Sequence, residues 1–220
     1  MQTRMNTETI EFNGWMMRFR PAVSGNRRLL VMLHGWTGDE NSMWVFARNF
    51  SDEKHWIIAP RAPHPADPQG FSWRPAQVQT FGRPSLETLL PSAGALIRLV
   101  DEYSASVGVE AEKFDVIGFS QGGAMVNVLG MLFPNRIQKM GVLAGFLPSG
   151  LDDYVEKGAL GGKRIFVAHG TLDELVPIDR ARASMEAMER AGASIVYCED
   201  EVAHKLSANC LRALEEYLAD

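Results

Sequence analysis

The chain has 220 residues, of which 46% are apolar, with a formal net charge of −5 and only two cysteines. A length of this order supports one sizeable core and hardly two, so a single domain is expected. An acidic balance with no basic cluster longer than Arg27-Arg28 speaks against nucleic-acid binding, because a phosphate backbone selects for clustered Lys and Arg.

The opening Met1-Gln2-Thr3-Arg4-Met5 leads into no apolar signal core, and no apolar run approaches the roughly 20 residues that span a bilayer. A cytoplasmic protein without a membrane span is the expectation. Cys198 and Cys210 are too few for a disulfide framework and too scattered for a zinc site, so both are expected as buried, reduced thiols.

In chain order, 8–12 and 15–19 flank Asn13-Gly14, the dipeptide best suited to a two-residue hairpin turn, so an antiparallel edge opens the sheet. Short apolar runs follow at 29–33, 56–59, 114–117, 140–143, 165–168 and 195–197. They have the character of buried, mostly parallel strands. Between them, helical patterns occupy about 42–50, 92–106, 121–132, 179–191 and 207–218, the last with Leu211, Leu214 and Leu218 on one face. Alternation of this kind predicts an α/β fold with helices on both faces of the sheet. The exception is residues 60–91, rich in Pro and Gly and holding Phe71, Trp73 and Phe81 without either period. A stretch of that length inside a compact chain is expected to be an ordered excursion over a functional site.

Chemistry enters at Gly118-Phe119-Ser120-Gln121-Gly122. This fits a nucleophile elbow, in which a sharp strand-to-helix turn holds the serine in strained dihedrals and flanking glycines let the neighbouring backbone close in. Alone the motif is a weak signal; a strand pattern just before it and a helical pattern just after it make it stronger. The helix start also points its dipole at a developing oxyanion.

A serine hydroxyl is a poor nucleophile at neutral pH, so a histidine and an acid must accompany it. Of the five histidines, His34, His55 and His64 precede the serine, whereas an elbow of this type is followed by its acid and then its histidine. His169 leaves only four residues before the next acid and suits a structural partner. His204, between the last strand and the last helix, suits the base. Asp173 in Gly170-Thr171-Leu172-Asp173 stands just past a strand, at the edge where open α/β sheets bind ligands. Glu174 is its nearest rival; Asp179 resembles a helix-start residue, and Asp200 sits in an acidic run with Glu199 and Glu201.

The oxyanion needs two backbone N–H groups, one from the residue after the nucleophile, Gln121, and one from the turn after an early strand, where Leu33-His34-Gly35-Trp36 can present the Trp36 amide. Phe71, Trp73 and Phe146 are candidate pocket walls, although large aromatics are as often simple core.

Together these segments resemble the phospholipase/carboxylesterase family of α/β-hydrolases, which includes acyl-protein thioesterases and bacterial carboxylesterases. The resemblance covers most of the chain. It is carried by Leu33-His34-Gly35, Ala59-Pro60-Arg61-Ala62-Pro63, Trp73, Gly118 to Met125, Gly145-Phe146-Leu147-Pro148 and His169 to Pro177. It implies the α/β-hydrolase fold, Ser120, Asp173 and His204 as the triad, and the Trp36 and Gln121 amides as oxyanion donors. The turn His34-Gly35-Trp36-Thr37-Gly38 is more similar to the bacterial esterase branch, and Glu201-Val202-Ala203 stands where the family tends to place a glycine before its histidine.

A serine esterase acting through an acyl-enzyme on short to medium acyl esters is therefore expected, with no metal or organic cofactor. Acyl-protein thioesterase or lysophospholipase activity is the alternative; a peptidase or a catalytically silent binding protein ranks below both. The expected partner is a small acyl ester or thioester, with self-association to a homodimer left open. Residues 144–163 hold Gly145, Pro148, Gly150, Gly158, Gly161 and Gly162, which disfavour the long helix of a lid.

Overall fold

A computed structural model describes residues 8–23, 28–75 and 84–220 of the chain. Phe81, the Arg27 of the one basic pair and the opening five residues lie outside the described residues.

The hairpin forms as expected: β1 (Glu8–Phe12) and β2 (Trp15–Arg20) pair antiparallel, with Asn13 and Gly14 both at positive φ in the turn. Then come β3 (Arg28–Leu33), α1 (Trp44–Ala47), β4 (His55–Pro60) and a two-residue pair, β5 (His64–Pro65) and β6 (Phe71–Ser72). The long α2 (Leu86–Val107) precedes β7 (Phe114–Phe119), α3 (Gln121–Leu132) and β8 (Ile137–Leu143). The chain continues through α4 (Asp152–Glu156), β9 (Arg164–Gly170), α5 (Ile178–Arg190) and β10 (Ser194–Asp200) to α6 (Ala208–Ala219). Eight strands form one sheet in the order β1-β2-β4-β3-β7-β8-β9-β10, antiparallel as far as β4 and parallel from β4 onward.

Strand alternation divides the core between two faces. Leu29, Val31 and Leu33 of β3 face a cluster with Leu89 and Leu96 of α2, Ala124 and Met125 of α3 and Met188 of α5. Leu30 and Met32 face the other way, onto Ala47 of α1 and Leu214, Tyr217 and Leu218 of α6. Helices thus cover both faces, as the alternating pattern predicts.

Two helices differ most from the sequence expectation. Helix α2 starts at Leu86, six residues early, with Pro91 inside it. Ser85 and Thr88 form a reciprocal capping box that supplies the orphan N–H groups of the first turn, and this local signal outweighs the proline's missing donor. The helix expected at 42–50 is only four residues long, without a side-chain cap. Residues 144–163 build nothing longer than the five-residue α4.

The C-terminal helix is held at both ends. Ser207 accepts the Cys210 N–H at its start; at its end Lys139 donates to the Tyr217 and Leu218 carbonyls, Arg28 to Leu218 and Lys54 to Ala219. Cations there satisfy orphan carbonyls and complement the helix dipole. Among the described residues no helix is long and apolar enough to cross a membrane.

The expected reduced thiols are a correction: Cys198 on β10 and Cys210 on α6 form a disulfide. Twelve residues apart along the chain, they meet because α6 turns back over the strand that precedes it.

Candidate active site

Strands β3, β4, β7, β8, β9 and β10 are mutually parallel, so the segments that follow them all emerge at one sheet edge. The turn after β3 carries Trp36, the excursion after β4 carries Phe71 and Trp73, and Ser120 follows β7. Phe146 follows β8, Asp173 follows β9 and His204 follows β10. Topology alone thus gathers every sequence-predicted site residue at that edge.

Ser120 stands between β7 and α3 with φ 53° and ψ −114°, left-handed backbone that a non-glycine residue rarely adopts. Its N–H donates to the Leu143 carbonyl on β8, and its carbonyl accepts from Ala124. The glycines of the elbow are required by contact. A Cβ on Gly118 would lie 2.2 Å from the Gly122 oxygen, and one on Gly122 would lie 2.2 Å from the Leu33 oxygen. Strand β7, helix α3 and the end of β3 therefore close on the serine more tightly than any side chain allows. A Cβ on Gly35 would sit 3.3 Å from the Ser120 Cβ, which puts the turn after β3 directly against the serine.

Asp173 is buried and its carboxylate accepts three hydrogen bonds. Oδ1 takes the Leu175 N–H at 2.9 Å and the Val176 N–H at 2.8 Å, while Oδ2 lies 2.6 Å from His204 Nδ1. The carboxylate can only accept, so Nδ1 carries the proton and Nε2 is left as the basic nitrogen. The His204 side chain is 16% exposed and its ring lies 4.9 Å from the ring of Phe119, the residue before the serine. Of the other acids considered, Glu174 and Asp179 are exposed and Asp200 receives the Glu201 N–H. His169 is fully buried, with Nε2 on the Val176 carbonyl at 2.7 Å and 3.4 Å from Asp173 Oδ2, a brace for the turn that holds Asp173.

The segment before His204, Glu201-Val202-Ala203, has no glycine of its own. The close approach is made from the other side, where a Cβ on Gly170 would lie 2.2 Å from the Val202 oxygen and 2.4 Å from the Ala203 oxygen. Leu172 N–H donates to Val202 and Thr171 N–H to Asp200, so the loops carrying Asp173 and His204 are zipped together.

The excursion after β4 is pinned to the turn after β3 and to the start of α3. Phe71 exchanges backbone hydrogen bonds with Thr37 and Gly38, while Trp73 N–H donates to Gln121 Oε1 at 2.9 Å and Gln121 Nε2 donates to Ser72 Oγ at 3.1 Å. Arg61 forms a forked ion pair with Glu40 at 2.7 and 2.9 Å and lies over the Phe71 ring, holding the Glu40 carboxyl below its ordinary range.

Trp73 has no exposed surface, and its indole N–H is spent on the His34 carbonyl at 2.8 Å. It supports the turn from beneath and offers no face to a ligand. Phe146 is nearly buried under the Arg180 guanidinium, 3.6 Å from the ring centroid, and Phe71 is half-buried.

Sequence reasoning passed over three contributors. From sequence His34 has a place in the turn after β3 but no role for its ring, Ser72 carries no motif, and the Leu175 and Val176 amides are backbone groups that composition cannot reveal. The His-Gly pair ending a strand is the one signal that pointed toward His34.

The family model for Phospholipase/Carboxylesterase matches residues 21–220. The chain belongs to the phospholipase/carboxylesterase family. Acyl-protein thioesterase 1 of Yarrowia lipolytica is 28% identical over 181 residues, spanning 76% of this chain and 78% of that protein. The Probable carboxylesterase SOBER1-like of Arabidopsis thaliana is 26% identical over 210 residues, 87% of this chain and 78% of that one. Among solved structures, the carboxylesterase from Mesorhizobium loti superposes with a TM-score of 0.81 at 21% identity, covering 97% of this chain and 99% of that one. This last likeness shows the α/β-hydrolase fold, with the same mostly parallel sheet. The phospholipase/carboxylesterase match spans every segment that carries the elbow, the acid turn and the base loop.

Proposed function

We propose that the protein is a serine carboxylic-ester hydrolase with Ser120 as nucleophile, His204 as general base and Asp173 as the carboxylate that orients the base. The observation that carries this reading is the 2.6 Å bond from His204 Nδ1 to Asp173, beside an elbow serine with positive φ. With Nδ1 protonated, Nε2 takes the Ser120 proton as Oγ attacks the acyl carbon. The Trp36 and Gln121 amides receive the oxyanion, His204 returns the proton to the leaving alcohol, and an acyl-enzyme remains. Water, deprotonated by the same imidazole, attacks the acyl carbon, and as the acyl–Oγ bond breaks the imidazolium returns its proton to Ser120 Oγ and the acid leaves.

The substrate class is a small acyl ester, with a thioester as the second reading, favoured by the likeness to Yarrowia lipolytica acyl-protein thioesterase 1. Phe71 and Phe146 are proposed as the apolar walls beside the site. Treatment with a fluorophosphonate should label Ser120, and Ser120→Ala should abolish both labelling and p-nitrophenyl acetate hydrolysis. Labelling of the alanine variant at the wild-type rate would overturn the assignment. Assaying matched oxygen esters, thioesters, lysophospholipids and peptide amides ranks the remaining activities. Sedimentation velocity tests for a homodimer.

The cytoplasmic location expected from the sequence meets an opposing observation in the Cys198–Cys210 bond, since reducing compartments keep thiols reduced. Mass spectrometry of thiol-blocked protein from its native cell decides between them: a linked pair places it in an oxidising compartment.

A further inference from the structure

We propose that His34 is a positioning residue for this reaction: its Nδ1–H, bonded to the Gly35 carbonyl, sets the plane of the Gly35–Trp36 peptide and hence the direction of the Trp36 N–H. The inference rests on the serine-hydrolase reading above and adds to it a side chain outside the triad. A trans peptide places its C=O and N–H on opposite sides of one plane, so fixing either fixes the other. The Gly35 oxygen is fixed twice, by His34 Nδ1 at 2.7 Å and by the Gly38 N–H at 3.1 Å. Glycine at 35 adds no side chain that could restrain the peptide, so these two bonds act on its plane directly.

The tautomer follows from the other ring nitrogen. Ala62 N–H donates to His34 Nε2 at 3.0 Å, so Nε2 is the acceptor and Nδ1 holds the proton. An imidazole suits this place because one rigid ring accepts from the excursion on one side and donates to the turn on the other. The ring is 1% exposed and lies 5.1 Å from the Trp73 ring, whose indole N–H takes up the His34 carbonyl. Gly38 makes the room: a Cβ there would lie 2.8 Å from Nδ1 and 3.0 Å from the Gly35 oxygen that Nδ1 bonds. Burial holds the imidazole below its ordinary range, which keeps it neutral and able to accept from Ala62.

The test compares His34→Asn, His34→Gln and His34→Leu, with Gly38→Ala as a variant that crowds both the ring and the Gly35 oxygen without removing either. An asparagine amide places a donor where Nδ1–H stands, whereas a glutamine amide reaches toward the Nε2 position. With p-nitrophenyl acetate, His34→Leu and His34→Gln should lose about 10²-fold or more in kcat, the scale of one lost oxyanion donor, with KM little changed. His34→Asn should recover most of that loss, and Gly38→Ala should lower kcat in the same manner. An acyl trifluoromethyl ketone, which mimics the tetrahedral adduct, should bind more weakly by the same factor as kcat falls.

A folded His34→Leu with wild-type kcat and wild-type ketone affinity overturns the inference. If that variant does not fold, wild-type kcat in Gly38→Ala does so instead. A wild-type enzyme that fluorophosphonate fails to label at Ser120 overturns the serine reading itself, and the two failures are thereby distinct.

Discussion

Asp173 shows how much a single carboxylate can be asked to do. It holds its own turn through the Leu175 and Val176 amides and holds His204 in one tautomer through its second oxygen. In Asp173→Asn the amide oxygen can still accept the two backbone donors, but the amide nitrogen then faces His204 and forces Nδ1 to accept. The proton moves to Nε2, where it blocks uptake of the serine proton. Steady-state assays should therefore find a fold kept intact and kcat lowered by about 10⁴; a loss of that size in Glu174→Gln and none in Asp173→Asn would show that the acid is misassigned.

His34 yields a prediction of another kind. Burial, the largest influence on it, holds its pKa below the ordinary value, while the bond to Gly35 and the charges of Asp39 and Glu40 oppose that shift. Between the folded and unfolded pKa values the unfolded chain binds more protons, so stability rises with pH across that window. The contribution is fully present above the unfolded value, about 6.5, and is lost as pH falls toward the folded one. Denaturant titrations from pH 7.5 down to 5 should show this slope in the wild type and a shallower one in His34→Asn.

Among the elements, β10, the base loop and α6 form the least expected unit. The loop carrying His204 runs between Cys198 and Cys210, so the disulfide closes the segment at its two roots. A closure of about this length removes on the order of 3 kcal/mol of chain entropy from the unfolded state. Thermal melts should accordingly place reduced protein and Cys210→Ser well below the oxidised wild type, and an unchanged melting temperature would mean that the link contributes nothing. The cysteines could not be paired from sequence. Their spacing matches no framework, and their proximity depends on α6 folding back across the sheet. The start of α2 differs for a related reason: Pro91 signals a break, but the N-cap at Ser85, six residues before it, starts the helix with Thr88. By contrast, the Asn13-Gly14 hairpin and the strand before the elbow were legible because their signals are local.

At the scale of the whole molecule, the parallel sheet places Ser120, Asp173 and His204 each after a different strand, and nothing long follows β8 to cover them. The described part of the excursion is tied down through Phe71, Ser72 and Trp73, which makes it a fixed wall and not a hinged cover. Each acyl methylene adds only about 0.8 kcal/mol, and only where a wall buries it. The kcat/KM for p-nitrophenyl esters should therefore peak between acetate and hexanoate and fall at palmitate, without a jump at the critical micelle concentration. A maximum at dodecanoate or beyond would reveal an apolar channel.

The sequence by itself determined the order of the eight main-sheet strands and the longer helices, the elbow and the candidates for base and acid, because hydrophobic period, turn dipeptides and motif spacing act over a few residues. Only the tertiary structure decided the rest. It placed the Asp173 carboxylate 2.6 Å from His204 and left Glu174 exposed. It took Trp73 from the proposed pocket into the core beneath the turn, joined Cys198 to Cys210, and gave His34 a tautomer and a task. Each of these depends on which groups from distant segments share a hydrogen bond, and that is fixed by packing around one sheet edge, not by any pattern along the chain.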